Sequence, residues 1–408
     1  MLEDKIYFKT KNGVLYKGNA LEILKELPEN SVDVIITSPP YFSKRVYPDE
    51  TVSIYGGDPN CDHEWVDIEL GLQHENRNNL RGKQEEVHGK RKTTWIRKYD
   101  KTYGKICKKC GAYLGQLGLE PTPEMFVEHL VEIFDEVKRV LKPTGSLFVN
   151  IDDTWIGGGR GYGLGKDNDR KWKGRNNVPK VNWNLVTPKR KSLALVPELF
   201  AIKMVYDSGW ILREKIIWAK KVLFYKENRT YGNAMPEPVR DRLAHSFEFI
   251  YHFTKSQKYY FNWEAVAPPL NENTNKRLQY SWNFNEKTKS DEYVRITKEI
   301  NKQLQERANN TYKVRPNDVV LITLKPFKGA HFATFPVDLP EFLIKVACPD
   351  GGVVLDPFAG SGTTLYVAEQ LGCKWIGIEP VGEYCELIKK RFEEEPKKKF
   401  KKRKKKKR

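Results

Sequence analysis

The segment Thr37-Ser38-Pro39-Pro40-Tyr41 brings together residue types that could position an amine. Its two prolines have no N–H group, so nearby carbonyl oxygens stay free to accept hydrogen bonds. Ser38 adds a hydroxyl acceptor, and Tyr41 adds a flat aromatic face. Two acceptors beside an aromatic plane suit a planar ring that carries an exocyclic NH2 group. An ordinary proline turn would contain the same residues, so the motif needs support from elsewhere in the chain.

A second segment far along the chain has the pattern of a ligand-binding turn. Residues 353–364 (VVLDPFAGSGTT) predict a strand, a glycine turn and the start of a helix. Gly360 and Gly362 permit a tight turn and close approach of the backbone to a ligand, and the helix offers unpaired N–H groups. The next predicted strand ends in Glu379, whose carboxylate can accept hydrogen bonds from ribose hydroxyls. The arrangement follows the logic of a dinucleotide-binding fingerprint with a different glycine spacing.

The elements that must position both segments are strands of one sheet. Residues 32–36 (VDVII) form an apolar, β-branched run whose length predicts a buried strand. Pro39 and Pro40 then force the chain out into a stiff loop. In open α/β sheets, ligands bind at the carboxyl ends of the strands. We therefore expect an α/β fold in which both segments face one cleft.

Together, the two motifs resemble those of the S-adenosylmethionine-dependent DNA amino-methyltransferases in which the catalytic loop precedes the cofactor loop. In that family T-S-P-P-Y is typical of cytosine-N4 enzymes and D-P-P-Y of adenine-N6 enzymes. The resemblance covers most of the chain outside two insertions and the tail. It implies a Rossmann-like methyltransferase sheet with helices on both faces. It also implies methyl transfer from S-adenosylmethionine to the N4 amine of cytosine in double-stranded DNA, with the base flipped out of the helix.

The resemblance also implies roles for individual residues. In the catalytic loop Ser38 Oγ and the Pro39 carbonyl would accept the two amine hydrogens, Pro40 would stiffen the turn, and Tyr41 would stack on the base. The cofactor would be bound by Asn19, Thr37, Phe332, Thr334, Phe335, Asp356, Phe358, Gly360, Gly362, Thr363 and Glu379. Two alternatives stay open: Asn19 could cap a helix, and one of the two phenylalanines near residue 335 could simply fill the core.

Other functions were weighed against this one. Carbon-5 methylation needs a cysteine nucleophile, and no cysteine lies beside Pro39-Pro40. An adenine-N6 DNA methyltransferase is the nearest alternative, because the amine chemistry is almost the same. RNA or protein-amide methyltransferases could use similar loops, but the motif order and the basic insertions favour DNA. A non-catalytic nucleic-acid-binding protein on a methyltransferase fold is more distant, because both motifs are intact.

Cysteine spacing predicts a structural zinc site in the segment 56–118. Cys61-x-His63 and Cys107-x-x-Cys110 supply three thiolates and an imidazole in two pairs, the ligand types that tetrahedral zinc prefers. The metal would supply folding energy that a charged insertion without a core lacks. Unrelated reduced thiols are the alternative, and His74 and His88 are spare ligands.

Charge and composition indicate a polyanion as partner. The chain has 408 residues and a net charge of +18, of which residues 397–408 supply eleven basic side chains. The remaining +7 still has the sign expected of a DNA-binding protein. No apolar run has the length of a membrane span, no signal peptide is evident, and six cysteines do not form a disulfide scaffold, so we expect a cytoplasmic protein without membrane contact. Neither oligomeric state nor a cognate restriction endonuclease can be inferred from the sequence.

The predicted organisation follows from these motifs. A glycine-rich basic loop at 157–166 does not match a phosphate-binding loop, because Arg160 replaces the first glycine and Asp167 follows the lysine; a lid, a DNA-facing segment or an exposed loop are the alternatives. We also expect helices to start at Ser192 and Leu339 and a strand at Ser146 after the loop 142–145. The expected parts are a catalytic half (1–55 and 119–263), an insertion with a zinc knuckle (56–118), a target-recognition region (264–330), a cofactor-binding half (331–395) and a disordered basic tail (396–408).

Overall fold

A computed structural model gives the fold. It describes residues 2–67, 104–156, 189, 191–234, 236–237, 239–268, 292, 295, 298–299, 313–324 and 335–394, and residues 83–87 and 90–94 by their backbone alone. The predictions for the loop 157–166, for Phe332, Thr334, His74 and His88, for most of 264–330 and for the tail concern residues outside this part of the chain.

A mixed nine-stranded sheet forms the centre of the described structure. Its strand order is β1-β2-β17-β16-β3-β10-β14-β11-β15, and its four central strands, from β17 to β10, run parallel. The strands are β1 (Ile6–Lys9), β2 (Gly13–Lys17), β3 (Val32–Thr37), β10 (Leu141–Ile151), β11 (Ile211–Ala219), β14 (Phe247–Thr254), β15 (Val319–Leu321), β16 (Val353–Asp356) and β17 (Lys374–Glu379).

The strand order reverses at the contact between β3 and β16. From β3 the chain continues to β10 on one side, whereas β16 lies on the other side and is followed by β17. Ile35 of β3 pairs with Leu355 of β16, so the carboxyl ends of both strands lie together at one edge. Such a switch point is where open α/β sheets bind ligands.

Helices cover both faces of the sheet, as predicted. Side chains of α1, α2 and α3 pack in one hydrophobic core, and those of α4, α5 and α6 pack in a second. β3 is buried along its whole length because alternate residues enter the two cores. The helices are α1 (Ala20–Glu26), α2 (Pro123–Val140), α3 (Val196–Tyr206), α4 (Asp338–Ala347), α5 (Thr363–Leu371) and α6 (Gly382–Glu394).

Four short strands between residues 52 and 116 form a small sheet of their own. Its strand order is β4-β9-β8-β5, with every pair antiparallel. These strands are β4 (Val52–Tyr55), β5 (Trp65–Asp67), β8 (Gly104–Cys107) and β9 (Tyr113–Gln116). Two separate hairpins lie elsewhere: β6 (Lys83–Val87) pairs with β7 (Lys90–Thr94), and, much later in the chain, β12 (Lys221–Phe224) pairs with β13 (Arg229–Gly232).

Two predicted boundaries were wrong. The segment 142–145 is not a loop before a strand: β10 already begins at Leu141, and its register with β3 shifts between Leu141 and Ser146. Helix α3 begins at Val196 rather than Ser192, because Leu195 has a left-handed backbone (φ 58°). In the described ranges, no helix is both long and apolar enough to span a bilayer.

Candidate active site

One hydrogen bond joins the two sequence motifs at the sheet edge. Thr37, the last residue of β3, is buried, and its Oγ1 donates to Asp356 Oδ1 at 2.7 Å. The same oxygen accepts the backbone N–H of Phe358 at 3.1 Å. Two loops that are 319 residues apart are therefore fixed against each other at the switch point.

A cavity of about 700 Å³ opens between the two loops. This volume lies within the range of small-molecule and cofactor sites. Nearly all the predicted site residues in the described part of the chain line it. They are Asn19, Ser38, Pro39, Pro40, Tyr41, Phe335, Asp356, Phe358, Gly360, Thr363 and Glu379.

Two predicted cofactor residues support the cavity from behind and do not line it. Thr37 holds the Asp356 carboxylate in place by donating a hydrogen bond to it. Gly362 caps α5 with a left-handed backbone (φ 70°), and a Cβ atom there would lie 2.8 Å from Ile388 of α6. This glycine therefore allows the turn to pack closely on a helix, which is a different role from contact with a ligand.

Two buried acids define the electrostatics of the glycine turn. Glu379 ends β17 and accepts the N–H groups of Gly360 at 2.8 Å and Val381 at 3.0 Å. Burial raises the pKa of Glu379 to about 8 and that of Asp356 to about 6. Neither acid has a cationic partner among its hydrogen bonds in the described structure, so each can still interact with a positive or hydroxyl-bearing ligand.

The volume of the cavity and the chemical groups of its lining fit S-adenosylmethionine. The cofactor carries a sulfonium, an ammonium and two ribose hydroxyls, and the carboxylates of Asp356 and Glu379 can accept from these groups. Phe335 and Phe358 provide apolar surface for an adenine ring, beside Tyr384. Residues of the glycine turn and of β17 would therefore hold this cofactor.

The catalytic loop is tied to the far half of the sheet by a chain of hydrogen bonds. Ser38 Oγ donates to Tyr41 Oη at 3.3 Å, and Tyr41 Oη donates to Glu248 Oε2 at 2.7 Å. Asn150 Nδ2 donates to the same Glu248 oxygen at 2.9 Å, and Lys220 pairs with the other one. Glu248 thus anchors the loop to strands β10 and β14.

This series of hydrogen bonds sets the direction in which the Ser38 hydroxyl points. Burial raises the pKa of Tyr41 well above its ordinary value, and the charge of Glu248 raises it further, so the phenol keeps its proton. That proton is donated to Glu248, which leaves the Tyr41 oxygen to accept from Ser38. Ser38 can therefore direct its proton at Tyr41, which leaves its lone pairs to accept hydrogen bonds in the cavity.

The two acids after β10 have separate roles. Asp152 lines the cavity, where its carboxylate accepts from Lys44 Nζ at 3.3 Å and contacts His245 Nε2 at 2.7 Å. Burial acts to raise its pKa, but His245 and Lys44 outweigh that effect and lower it. Asp153 instead accepts the N–H groups of Leu195 and Val196 and fixes the start of α3.

Sequence reasoning missed the network behind the loop. Glu248, Lys220 and His245 lie in a section that resembles the family, but no spacing rule linked them to Tyr41. Asn150 lies in β10, Glu248 in β14, and Lys220 between β11 and β12. The available signal was the single acidic residue, Glu248, in the aromatic run of β14.

The four predicted metal ligands meet in the insertion, as expected. The ligand atoms of Cys61, His63, Cys107 and Cys110, here called the Cys3His cluster, all lie within 4.8 Å of one another. The cluster holds the end of the hairpin β8–β9 against the segment that leads into β5. None of its residues lines the cavity.

A doubly wound sheet with an acid-lined cavity and an acceptor loop at its switch point fits an α/β methyltransferase. The family of DNA methylases of the N6/N4 type matches residues 32–390 of the chain. The chain belongs to this family and is an S-adenosylmethionine-dependent amino-methyltransferase.

Relatives extend the match over nearly the whole chain. The type II methyltransferase M.Cfr9I of Citrobacter freundii is 30% identical over 384 residues, which cover 93% of this chain and 88% of the relative. The type II methyltransferase M.SmaI of Serratia marcescens is 33% identical over 282 residues, 68% of this chain and 77% of the relative. The structure of the PvuII cytosine-N4-specific DNA methyltransferase has a TM-score of 0.52 at 18% identity and covers 95% of this chain and 89% of its own, which supports the fold.

Proposed function

We propose that the protein is a site-specific methyltransferase that modifies the N4 amine of cytosine in double-stranded DNA, as part of a type II restriction-modification system. The observation that carries the proposal is the direction of the Ser38 hydroxyl. Its proton is engaged by Tyr41, so the serine faces the cavity as an acceptor. An amine with two hydrogens is the group that needs such acceptors.

The chemistry of the cytosine amine explains why acceptors matter. Its lone pair is delocalised into the ring, so the nitrogen is a poor nucleophile. In our proposal Ser38 Oγ and the Pro39 carbonyl accept the two amine hydrogens and favour a tetrahedral nitrogen whose lone pair points toward the cofactor side. Bound S-adenosylmethionine supplies an electrophilic methyl group. Positioning of this kind can contribute several kcal/mol to catalysis.

Access to the amine requires the base to leave the duplex. Extrusion costs a few kcal/mol, and the cavity offers Tyr41 as an aromatic surface beside Pro39 and Pro40. Ser38 is a weak base at neutral pH, so we expect the proton to leave after methyl transfer. Residues 264–330 are the proposed target-recognition region, and a restriction endonuclease would be the cognate partner of a type II enzyme.

Adenine-N6 methylation is the alternative within the same family. A serine before Pro39 favours cytosine, because the family motif with aspartate is typical of adenine enzymes. The PvuII enzyme is named as cytosine-N4-specific, but at 18% identity that likeness supports only the fold. The names of the two relatives give a type of methyltransferase and no base.

A pair of variants tests the assignment of the two loops. Ser38→Ala should lower turnover by about 100-fold, the scale seen when one preorganised hydrogen-bonding group is removed from an active site, with little change in cofactor affinity. Asp356→Ala should first weaken cofactor binding, because it removes an acid from the cavity and leaves Thr37 and the Phe358 N–H unpaired. Single-turnover methyl transfer and calorimetric titration with S-adenosylmethionine measure the two effects.

Mass analysis of nucleosides from methylated duplex DNA identifies the base. N4-methylcytosine supports the proposal, and N6-methyladenine replaces it with the alternative. Equal losses of turnover and cofactor affinity in Ser38→Ala would show that the catalytic role has been given to the wrong loop.

A further inference from the structure

We propose that the Cys3His cluster binds one structural zinc ion, and that this ion braces a wall of the active-site cavity through β9. The zinc site itself is independent of the proposed function, and only the bracing role uses cofactor affinity as a readout.

Two distances within the cluster are close to those of tetrahedral zinc coordination. Cys61 Sγ and Cys107 Sγ lie 3.9 Å apart and are not bonded, and Cys110 Sγ lies 3.4 Å from His63 Nδ1. Ligands at the usual Zn–S and Zn–N distances occupy tetrahedron corners about 3.8 Å apart for two sulfurs and about 3.6 Å apart for sulfur and nitrogen. Three thiolates and one imidazole form a closed set that suits a structural rather than a catalytic ion.

The backbone around the cluster is shaped to bring the ligands together. Gly111 follows Cys110 with a left-handed backbone (φ 77°), and its N–H donates to the Cys107 carbonyl at 2.9 Å. A Cβ atom at Gly57 would lie 2.9 Å from Cys110 Sγ, so the chain passes too closely there for any side chain. On the other side, the His63 ring packs on Trp65 with ring centroids 4.6 Å apart.

The small sheet has reason to need a metal. Val52, Ile54 and Val66 are among its exposed apolar side chains, so part of its hydrophobic surface is not buried. Its buried aromatic residues, Tyr55 and Tyr113, pack on His129 of α2. A bound zinc would supply folding free energy to this small sheet, part of whose apolar surface lies in solvent.

Strand β9 connects the cluster to the cavity. Its last residue, Gln116, is buried; its Oε1 accepts the N–H of Tyr47 at 2.9 Å and its Nε2 donates to the Tyr47 carbonyl at 2.7 Å. Two residues later, the Gly118 carbonyl accepts the N–H of Ser43 at 2.7 Å. Tyr47 lines the cavity together with Lys44. The wall formed by residues 43–47 is therefore held by the strand that the cluster anchors.

Metal analysis of the purified full-length protein tests the site. Elemental analysis should give one zinc per chain, and X-ray absorption at the zinc edge should show three sulfur ligands and one nitrogen ligand. Cys110→Ser should lose the stoichiometric zinc, whereas Cys373→Ala, a buried thiol outside the cluster, should keep it. Metal-free protein that binds S-adenosylmethionine with full affinity would overturn the proposal, as would full zinc content in Cys110→Ser.

Gln116→Ala separates the bracing role from the metal itself. This variant should keep its zinc and still lose cofactor affinity by roughly tenfold, the scale expected for two buried hydrogen bonds. Cys110→Ser should lose affinity at least as much. A zinc-loaded Gln116→Ala protein with wild-type affinity would mean that the metal stabilises the insertion alone, and the bracing role would be wrong. The zinc measurement stands whichever base is methylated, so its failure is distinct from failure of the proposed function.

Discussion

The glycine turn after β16 and the catalytic loop after β3 face the same cavity but are held in different ways. The turn is stabilised mainly by its own backbone and by the adjacent strand: Gly362 N–H donates to the Ala359 carbonyl, and Gly360 N–H donates to Glu379. The catalytic loop depends on distant side chains, with Tyr41 bonded to Glu248, 207 residues away. A short local sequence pattern therefore determines the conformation of the glycine turn, whereas the conformation of the loop after β3 depends on contacts across the assembled sheet.

The two regions also differ in how their buried acids are paired. Among the described residues, Glu379 beside the glycine turn accepts hydrogen bonds from backbone N–H groups and from no cation, so this region should be more stable with a ligand bound than without one. Behind the catalytic loop, the buried acid Glu248 of β14 is paired with Lys220, Asn150 and Tyr41. We therefore expect changes at the turn to alter stability and cofactor binding, and changes behind the loop to alter turnover.

The largest expected effect is a pH dependence of stability that originates in Glu379. Burial raises its pKa to about 8, so the folded protein keeps a proton that the unfolded chain releases above about pH 4.5. The free energy of unfolding of the cofactor-free protein should therefore fall as pH rises from about 4.5 to 8, by on the order of a few kcal/mol. In Glu379→Gln, which cannot ionise, urea unfolding at several pH values should show a flatter profile.

A half-buried acid outside the glycine turn provides the control for this measurement. Glu341→Gln removes a carboxylate that pairs with Lys345 along α4, away from the turn. In this variant the free energy of unfolding should change with pH as it does in the wild type. Identical slopes in wild type and Glu379→Gln would contradict the assignment of an uncompensated acid to the glycine turn.

The next effect should appear in turnover and not in cofactor binding. Glu248→Gln weakens the pairing with Lys220 and adds an amide donor where Tyr41 and Asn150 both donate, so the Ser38 hydroxyl is no longer oriented. We expect turnover to fall by roughly tenfold to 100-fold, the range for a general positioning defect. Single-turnover methyl transfer and titration with S-adenosylmethionine distinguish the two steps.

The matched control is a second lysine–glutamate pair, which joins α3 to β11. Lys215 of that strand pairs with Glu198 at 2.9 Å, outside the cavity wall. Glu198→Gln should leave turnover unchanged. If Glu248→Gln lost cofactor affinity as much as turnover, the two regions would not be separable in the way their contacts indicate.

The same contrast explains what the sequence could predict. The glycine turn, the proline loop and the spacing of Cys107-x-x-Cys110 are short patterns with a local physical meaning, and the structure brings each to the expected place. Asn150 and Glu248 could not be connected to Tyr41, because their contact depends on the register of β10 with β14. That register is set by packing over the whole sheet and leaves no local pattern.

Boundaries failed where tertiary contacts override local signals. Lys142-Pro143-Thr144-Gly145 has the composition of a turn, yet it lies within β10, where Lys142 Nζ donates to both carboxylate oxygens of Asp33 at 2.8 Å. Similarly, Asp153 accepts the N–H groups at the start of α3 and delays that helix to Val196. Sequence patterns give the type of each element more reliably than its ends.

The smallest effect concerns Asn19, which stands between the two regions. Its Oδ1 accepts the Leu21 N–H at 2.8 Å and caps α1, and its Nδ2 donates to Tyr55 Oη of β4 at 3.3 Å, in the lining of the cavity. Loss of such a cap costs about 1 kcal/mol, so Asn19→Ala should lower the free energy of unfolding by that amount. Asn19→Ser should restore most of it, because serine also caps helices. Urea unfolding and cofactor titration of both variants decide between the two roles: if Asn19→Ser is stable but binds S-adenosylmethionine as weakly as Asn19→Ala, the side chain contacts the cofactor, whereas recovery of both properties leaves it a helix cap.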